Sequence, residues 1–427
     1  MKIRHINPSV LSGGASKAVN RINQSLNKKG IDSKVLVQIK DSKEKSIEGA
    51  FKNQKIDEHF LYKIRYFLEK NSIRMKKFDS NFSQAYYGRD IIKINEIDTS
   101  DIINIHLINE GFINIKSIKK LCSKKVVWTL HDMWLFTGGC YYSNGCKKYE
   151  NTCFNCKYYL GNAEEKYTTK NQKLKIDILK KIDVTIVTCS TWLEKCAKNS
   201  KILQGKRILT IPNGVDTNIY KPINKKEAKK YFNISDNKKV ILFGAMNSIS
   251  DKRKGYDYLK KALLNLNEKN KIKNCELIVF GTDEIGIQKI NTLTIKSMGS
   301  LRDDYSLALL YSAADIFVGP SLEEAFGQTF IESMSCETPV LAFDSTGPDD
   351  IITHKVDGYL AKNSSVDDLE LGIEWLLSNN DENILGINAR KKVKEKFSLE
   401  IIAEKYFTLY KEIINKKKYD TERKNEK

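Results

Sequence analysis

The stretch PSLEEAFGQTFIESMSCETP, residues 320–339, decides the fold. The apolar run Ile316-Phe317-Val318 before it predicts a buried strand that ends at Gly319-Pro320. A loop carrying Glu323 and Glu324 comes next, Phe326-Gly327 gives a turn, and residues 329–336 read as a helix. A second apolar strand, Val340-Leu341-Ala342-Phe343, follows Pro339. Strand, acidic loop, helix and strand make one βαβ crossover. In sheets built from such units, ligands sit beyond the carboxyl ends of the strands. The N-terminus of the helix offers free N–H groups and a partial positive charge, suited to an anion such as phosphate. Glu324 lies in the loop and Glu332, eight positions on, about one turn into the helix. Both can therefore face one ligand from different sides.

Working outward, the same alternation of strand and helix fills both halves of the chain. Strands are expected at residues 2–7, 33–39, 101–107, 125–130, 184–189 and 207–212, and again at 239–246, 276–281 and 294–299. Helices are expected after Ser16, over 163–182, after Ser190 and over 256–267. The pattern predicts an α/β fold of two Rossmann-like domains, their parallel sheets facing a cleft. Residues 41–95 are polar, basic and irregular with helical patches, and the chain after Gly358-Tyr359-Leu360 reads as helical. In the first half, Gly13 and Gly14 stand between strand and helix, where backbone can approach a ligand closely; turn-making is the plainer reading. His106 and His131 close two of the strands, positions that point a side chain toward the ligand end of a parallel sheet, with Asp132 placed to orient His131. In the second half Arg253 and Lys254 precede a helix, two cations suited to a diphosphate.

The 427 residues suffice for two domains with sizeable cores, and 41% hydrophobic content is ordinary for a globular chain. No apolar run reaches the roughly 18 residues that suggest a membrane span, and MKIRHINPSV lacks the apolar core of a signal peptide. The expected location is the cytoplasm. The net charge of +19 is spread widely. It concentrates where Lys63, Arg65, Lys70, Arg74, Lys76 and Lys77 alternate with Tyr62, Tyr66, Phe67 and Phe78, and again in the tail at 416–427. Basic residues interleaved with aromatics suit an anionic bilayer surface, and equally a solvated amphipathic helix. No nucleic-acid-binding motif accompanies the charge.

There are nine cysteines, and the expected cytoplasmic location argues against disulfides. Cys122, Cys189, Cys196, Cys275 and Cys336 read as buried small residues. Cys140, Cys146, Cys153 and Cys156 are spaced C-x5-C-x6-C-x2-C, which suits a closed tetrahedral metal site. Structural zinc is the leading reading; an iron–sulfur cluster and free thiols stay open.

The spacing of Glu324 and Glu332, framed by PSLEEAFGQTFIES and CETPVLAF, resembles the E-x7-E motif of retaining glycosyltransferases of the GT-B type, family 4. The resemblance spans nearly the whole chain and is weakest across 41–95. It implies transfer of a sugar from a nucleotide-diphosphate donor to an acceptor hydroxyl with retained anomeric configuration. Glu324 would contact the donor sugar and Glu332 the ribose, with Phe326, Gly327, Gln328 and Thr329 completing the donor-side loop. Lys254 matches the lysine that holds the pyrophosphate, and Arg253 substitutes for an arginine that usually follows the strand-end glycine, where Ala245 stands here. His131, in VVWTLHDMWLFTGGC, matches the histidine near the donor sugar and its phosphate, and Gly13-Gly14 match a glycine loop near the donor phosphates and acceptor. The four-cysteine knuckle resembles that of a subset sharing the HDMW-FTGGC lead-in.

The same resemblance places an acceptor-side domain at 1–217, a nucleotide-sugar domain at 218–395, and a C-terminal helix with a basic tail at 396–427, the helix crossing back to the first domain. No catalytic metal is expected, since no D-x-D is evident. The implied setting is bacterial cell-surface polysaccharide assembly on a glycan or lipid-linked acceptor, peripheral to the inner face of the cell membrane. Departures from the pattern occur at Ala245, at Ala325 (usually Gly) and at Glu337 (usually Gly, and strained there if φ is positive). They keep a non-catalytic subunit open as an alternative, beside an epimerase of the same fold.

Overall fold

The computed structural model of the chain describes all residues except 11–12, 41, 52–57, 72–81, 157–164, 302, 345, 381 and 426–427, and omits the side chains of 165–166 and 416–425. Arg74, Lys76, Lys77 and Phe78 of the basic stretch, and the tail's side chains, lie outside the described residues. The chain forms two compact units, one of Met1–Pro212 with Ile402–Lys427 and the other of Asn213–Ile401.

The first unit is a seven-stranded parallel sheet. Its strands are β1 (Lys2–Ile6), β2 (Asp32–Val37), β3 (Ile47–Gly49), β4 (Ile102–Ile105), β5 (Val126–Leu130), β6 (Val184–Thr188) and β7 (Arg207–Thr210), in the order β3-β2-β1-β4-β5-β6-β7. β4, β5 and β6 are buried at every position, as expected of parallel strands covered on both faces. Helices α1 (Gly13–Lys28), α2 (Glu58–Asn71), α3 (Glu165–Lys180) and α4 (Thr191–Asn199) lie between the strands in sequence. Ser190 caps α4, accepting from Leu193 N at 3.1 Å.

One face of this sheet is built in layers. Ile3, Ile102 and Val127 make an apolar layer that packs on Ile402, Tyr406, Leu409 and Tyr410 of the last helix. Because side chains alternate along a strand, the next residues on that face are His5, Asn104 and Thr129. Tyr410 Oη accepts from Asn104 Nδ2 at 2.7 Å, and Thr129 Oγ1 donates to Asn104 Oδ1 at 3.0 Å. The next step reaches His106 and His131.

The second unit is a seven-stranded sheet ordered β10-β11-β9-β8-β12-β13-β14. Its strands are β8 (Lys239–Gly244), β9 (Cys275–Phe280), β10 (Ile285–Ile290), β11 (Leu293–Met298), β12 (Ile316–Gly319), β13 (Val340–Asp344) and β14 (Gly358–Lys362). All neighbours are parallel except the edge strand β10, which returns antiparallel on β11. The helices are α5 (Lys225–Tyr231), α6 (Tyr256–Glu268), α7 (Asp304–Ala313), α8 (Gln328–Ser335), α9 (Val366–Ser378) and α10 (Ile384–Lys396), and α11 (Leu399–Asn425) closes the chain. The βαβ crossover at 316–344 is present: β12 and β13 pair parallel, with Phe317 opposite Val340.

Several local expectations change. α1 begins at Gly13 itself, so the glycine pair forms the first helical turn instead of a preceding loop, with Gly13 at φ +83°. β3, β10 and β14 were not expected. β10 is exposed along most of its length, with Ile285 at 82%, so it lacks the continuous apolar run that marks the other strands. Cys122 is exposed and Cys196 half-buried, while Cys189, Cys275 and Cys336 are buried. Glu337 does adopt positive φ, at +61°.

Candidate functional site

Three loops meet at the carboxyl ends of the adjacent strands β8, β12 and β13. The first follows β8 and closes in a tight turn at Lys252–Lys254, capped by Asp251, whose Oδ1 accepts from Arg253 N at 3.0 Å. Gly255 ends the turn at φ +76°, and a Cβ there would lie 1.9 Å from Pro320 O. Only glycine lets this turn lie against the loop after β12. Leu322 N then donates to Arg253 O at 2.8 Å, and Arg253 Nη1 to Glu323 O at 2.7 Å. The third loop joins through Gly347 N, which donates to Glu324 O at 2.9 Å, and through Thr346 Oγ1, which accepts from Glu324 N at 3.3 Å.

This junction brings Lys254 and Glu324 together. Nζ lies 2.6 Å from Oε2, with both side chains about 15% exposed (16% and 15%). Arg253 Nη1 stands 3.9 Å from the same oxygen and its Nη2 pairs with Asp251 at 2.8 Å. Burial disfavours the Glu324 carboxylate, but Lys254 and Arg253, with the Phe326 N–H, outweigh it and hold the group below the usual carboxylate range. An anion entering here finds one committed arginine and one lysine it can draw from its carboxylate partner.

The rest of the predicted donor loop divides. Gly327, at φ +113°, precedes α8 and packs against Phe330, and Thr329 is partly exposed in the first turn. Phe326 is buried against Phe397, 5.8 Å between ring centroids. Gln328 Nε2 donates to Gly214 O at 3.1 Å, while its Oε1 is buried with no partner among the described residues. Glu332 is 2% exposed and accepts from Tyr311 Oη on α7 at 3.2 Å. Burial, then the Glu332 charge, hold the Tyr311 phenol well above its ordinary range.

In the first unit His131 is held by a histidine instead of Asp132. His131 Nε2 lies 3.0 Å from His106 Nδ1, and His106 Nε2 lies 2.9 Å from His5 Nδ1. Asp132 Oδ1 instead accepts from Trp134 N at 2.7 Å. Burial pushes His5 down to about 3 and His131 to about 4, and holds His106 well below the imidazole range. All three rings are therefore neutral at physiological pH. His5, Gly255, Tyr311 and Thr346 escaped the sequence reading. KIRHIN does carry the signal that exposed the other two histidines, an imidazole at the end of an apolar strand.

Cys140, Cys146, Cys153 and Cys156 line one cavity, with Phe82 and Tyr149. No three metal-ligating side chains converge on a point among the described residues.

Two family descriptions match the chain. "Glycosyltransferase Family 4" matches residues 12–219 and "Glycosyl transferases group 1" matches 224–395. The chain is a GT-B glycosyltransferase of the group 1, family 4 kind. This glycosyltransferase is 25% identical to an uncharacterised glycosyltransferase of Methanocaldococcus jannaschii, over 74% of its own length and 76% of the relative's. It is 24% identical to the UDP-Gal:alpha-D-GlcNAc-diphosphoundecaprenol alpha-1,3-galactosyltransferase of Escherichia coli, over 58% of its own length and 66% of that enzyme's. Among solved structures it resembles Anabaena HepE in complex with UDP and glucose, with a TM-score of 0.63 at 17% identity, covering 96% of this chain and 99% of HepE. Among the described residues of this glycosyltransferase, no helix is long and apolar enough to cross a membrane.

Proposed function

We propose that the enzyme moves a sugar from a nucleotide-diphosphate donor to an acceptor hydroxyl with retention, in the assembly of a bacterial cell-surface polysaccharide. The observation that carries this reading is the Lys254–Glu324 pair at the β8–β12–β13 strand ends. A donor diphosphate would attract Lys254, with Arg253 beside it. The freed Glu324 carboxylate would then accept hydrogen bonds from sugar hydroxyls, and Glu332 from the ribose. Gly327, Gln328 and Thr329 would bring the α8 N-terminus toward the phosphates, with Phe326 as packing beneath. His131 would act near the donor sugar and its phosphate, and Gly13 and Gly14 near the donor phosphates and the acceptor. The acceptor oxygen bonds to the anomeric carbon on the face from which the phosphate oxygen leaves, and the hydroxyl proton passes to that oxygen. HepE was solved with UDP and glucose, which favours a donor of that class.

The test is a thermal-shift screen against UDP, GDP, ADP and their sugars, repeated with Lys254→Ala. One nucleotide class should raise the melting temperature of the parent and fail to do so for the variant. Equal shifts in both proteins would remove Lys254 from the donor site. The product's anomeric coupling in NMR decides retention.

The acceptor reading is a lipid-linked glycan at an anionic membrane surface. It is supported by α2, which exposes Phe60 (58%), Ile64 (41%), Phe67 (64%) and Leu68 (42%) along one stripe, with exposed Lys63 and Lys70 beside it. The named lipid-linked substrate of the Escherichia coli relative agrees with it. Flotation with liposomes should favour anionic over zwitterionic lipid, and no preference would remove this part. For the cysteine cavity we propose structural zinc, because four thiols share one small space. The thiols would have to close by side-chain rotation to bind it. Elemental analysis should find one zinc per chain; a metal-free, fully active preparation would exclude it.

A further inference from the structure

His5 stands in β1, and His106 and His131 directly follow β4 and β5; the three strands are neighbours in the sheet. The backbone sets their spacing: His106 N donates to Ile6 O at 3.0 Å, and β4 and β5 pair with Ile105 opposite Trp128. The rings stand close together, with centroids 5.2 Å apart for His5 and His106 and 5.3 Å for His106 and His131, the second pair stacked. His5 is fully buried and His106 is 2% exposed. The two outermost nitrogens, His5 Nε2 and His131 Nδ1, are buried with no hydrogen-bond partner among the described residues.

Both contacts join a Nδ1 to a Nε2. A neutral imidazole has one N–H and one lone pair. Each contact needs one of each, because two N–H groups or two lone pairs at about 3 Å repel. If His5 carries its proton on Nδ1, it donates to His106 Nε2. His106 then carries its own proton on Nδ1 and donates to His131 Nε2, which leaves His131 with Nδ1–H. Reversing the direction puts all three protons on Nε2 and leaves a lone pair on His131 Nδ1. The chain therefore has two satisfied states, and in each the three rings share one tautomer.

We propose that His5 and His106 are positioning residues that, through this shared tautomer, set whether His131 Nδ1 donates or accepts a hydrogen bond. The outer nitrogen becomes a neutral group that can meet either a phosphate or carbonyl oxygen (all Nδ1–H) or a hydroxyl proton (all Nε2–H). Between the two states two protons cross the inner hydrogen bonds, one is gained or lost at His131 Nδ1 and one at His5 Nε2, so the states interconvert only when those outer nitrogens exchange a proton with water or a ligand. The charged group acting on His5 is Arg4, which is itself paired with Asp32 at 2.9 Å and Glu96 at 2.6 Å. That the partner at His131 is a donor-sugar or phosphate oxygen rests on the glycosyl-transfer reading; the coupling among the rings does not.

The experiment is long-range 1H–15N NMR of the full chain labelled with 15N-histidine, each of the five rings assigned by its own His→Gln variant. At pH 7 the proposal expects His5, His106 and His131 to be neutral with equal Nδ1–H to Nε2–H ratios. His106→Phe should uncouple the ends and change the ratio at His131. Unequal ratios in the folded wild-type chain, or a protonated ring among the three, would overturn it. So would a His131 ratio unaffected in folded His106→Phe. The wild-type comparison needs only His59→Gln and His354→Gln, at exposed positions, to fold, because the three remaining rings are compared with one another. Added UDP-glucose should move all three rings together. If the ratios are equal but UDP-glucose has no effect, the donor reading fails and the coupling stands.

Discussion

The Lys254–Glu324 pair is open to a double-mutant cycle that separates a structural from a functional role. At 2.6 Å the bare attraction is about 6 kcal/mol for an effective dielectric of about 20. Desolvating both groups offsets much of that, so the pair itself adds little net stability. Removing one partner leaves the other charge buried. Lys254→Met should therefore destabilise the second unit by about 3 kcal/mol, reduced somewhat because Arg253 remains 3.9 Å from Glu324. Glu324→Gln should cost a similar amount, since Lys254 then faces only an amide. In the double variant no charge is stranded, and stability should return to within about 1 kcal/mol of wild type. The coupling read from urea unfolding would then be about 4 kcal/mol. Nucleotide-sugar binding, followed by calorimetry, should stay lost in all three variants, because the double variant restores the packing but neither the cation nor the carboxylate. Additive single effects would show that the ion pair is not an energetic unit. Recovered donor binding in the double variant would show that the pair only braces the loops, and the site assignment would fail.

The histidine chain predicts acid sensitivity. Its rings are neutral when folded, with His5 near 3, His131 near 4 and His106 well below the imidazole range, while unfolded histidines take up protons below about 6.5. The unfolded state thus binds more protons, so stability is full above about pH 6.5 and falls as pH drops below it. Between pH 7.5 and 5.5 the loss is about 1.4 kcal/mol per ring, or about 4 kcal/mol for three, and a urea midpoint that does not move would contradict the burial. Gly255→Ala forces a side chain at φ +76° against Pro320 O, so it should destabilise by more than about 2 kcal/mol and abolish donor binding; wild-type binding would refute the close approach. Glu337→Gly relieves positive φ at +61° and loses one long contact from Asn383 Nδ2 at 3.3 Å. A gain of about 0.5–1 kcal/mol with unchanged activity is expected, and a destabilised variant would show the Asn383 contact to dominate.

The chain's own sequence determined eleven of the fourteen strands, because a buried parallel strand needs a run of apolar residues on both faces and such runs are visible in isolation. It also determined which acidic and basic side chains stand at strand ends, since a strand's direction is fixed by the helix that follows it. It did not reveal the three-residue β3, the exposed β10 or the strand β14, nor the helical start at Gly13. Partnership was decided only by the tertiary structure. Lys254 and Glu324 are 70 positions apart and meet because β8 and β12 are neighbours and Gly255 has no side chain. His5 and His106 are 101 positions apart and meet because β1 lies beside β4. Sheet order is set by which long-range packing buries most surface, and no local stretch of residues encodes it.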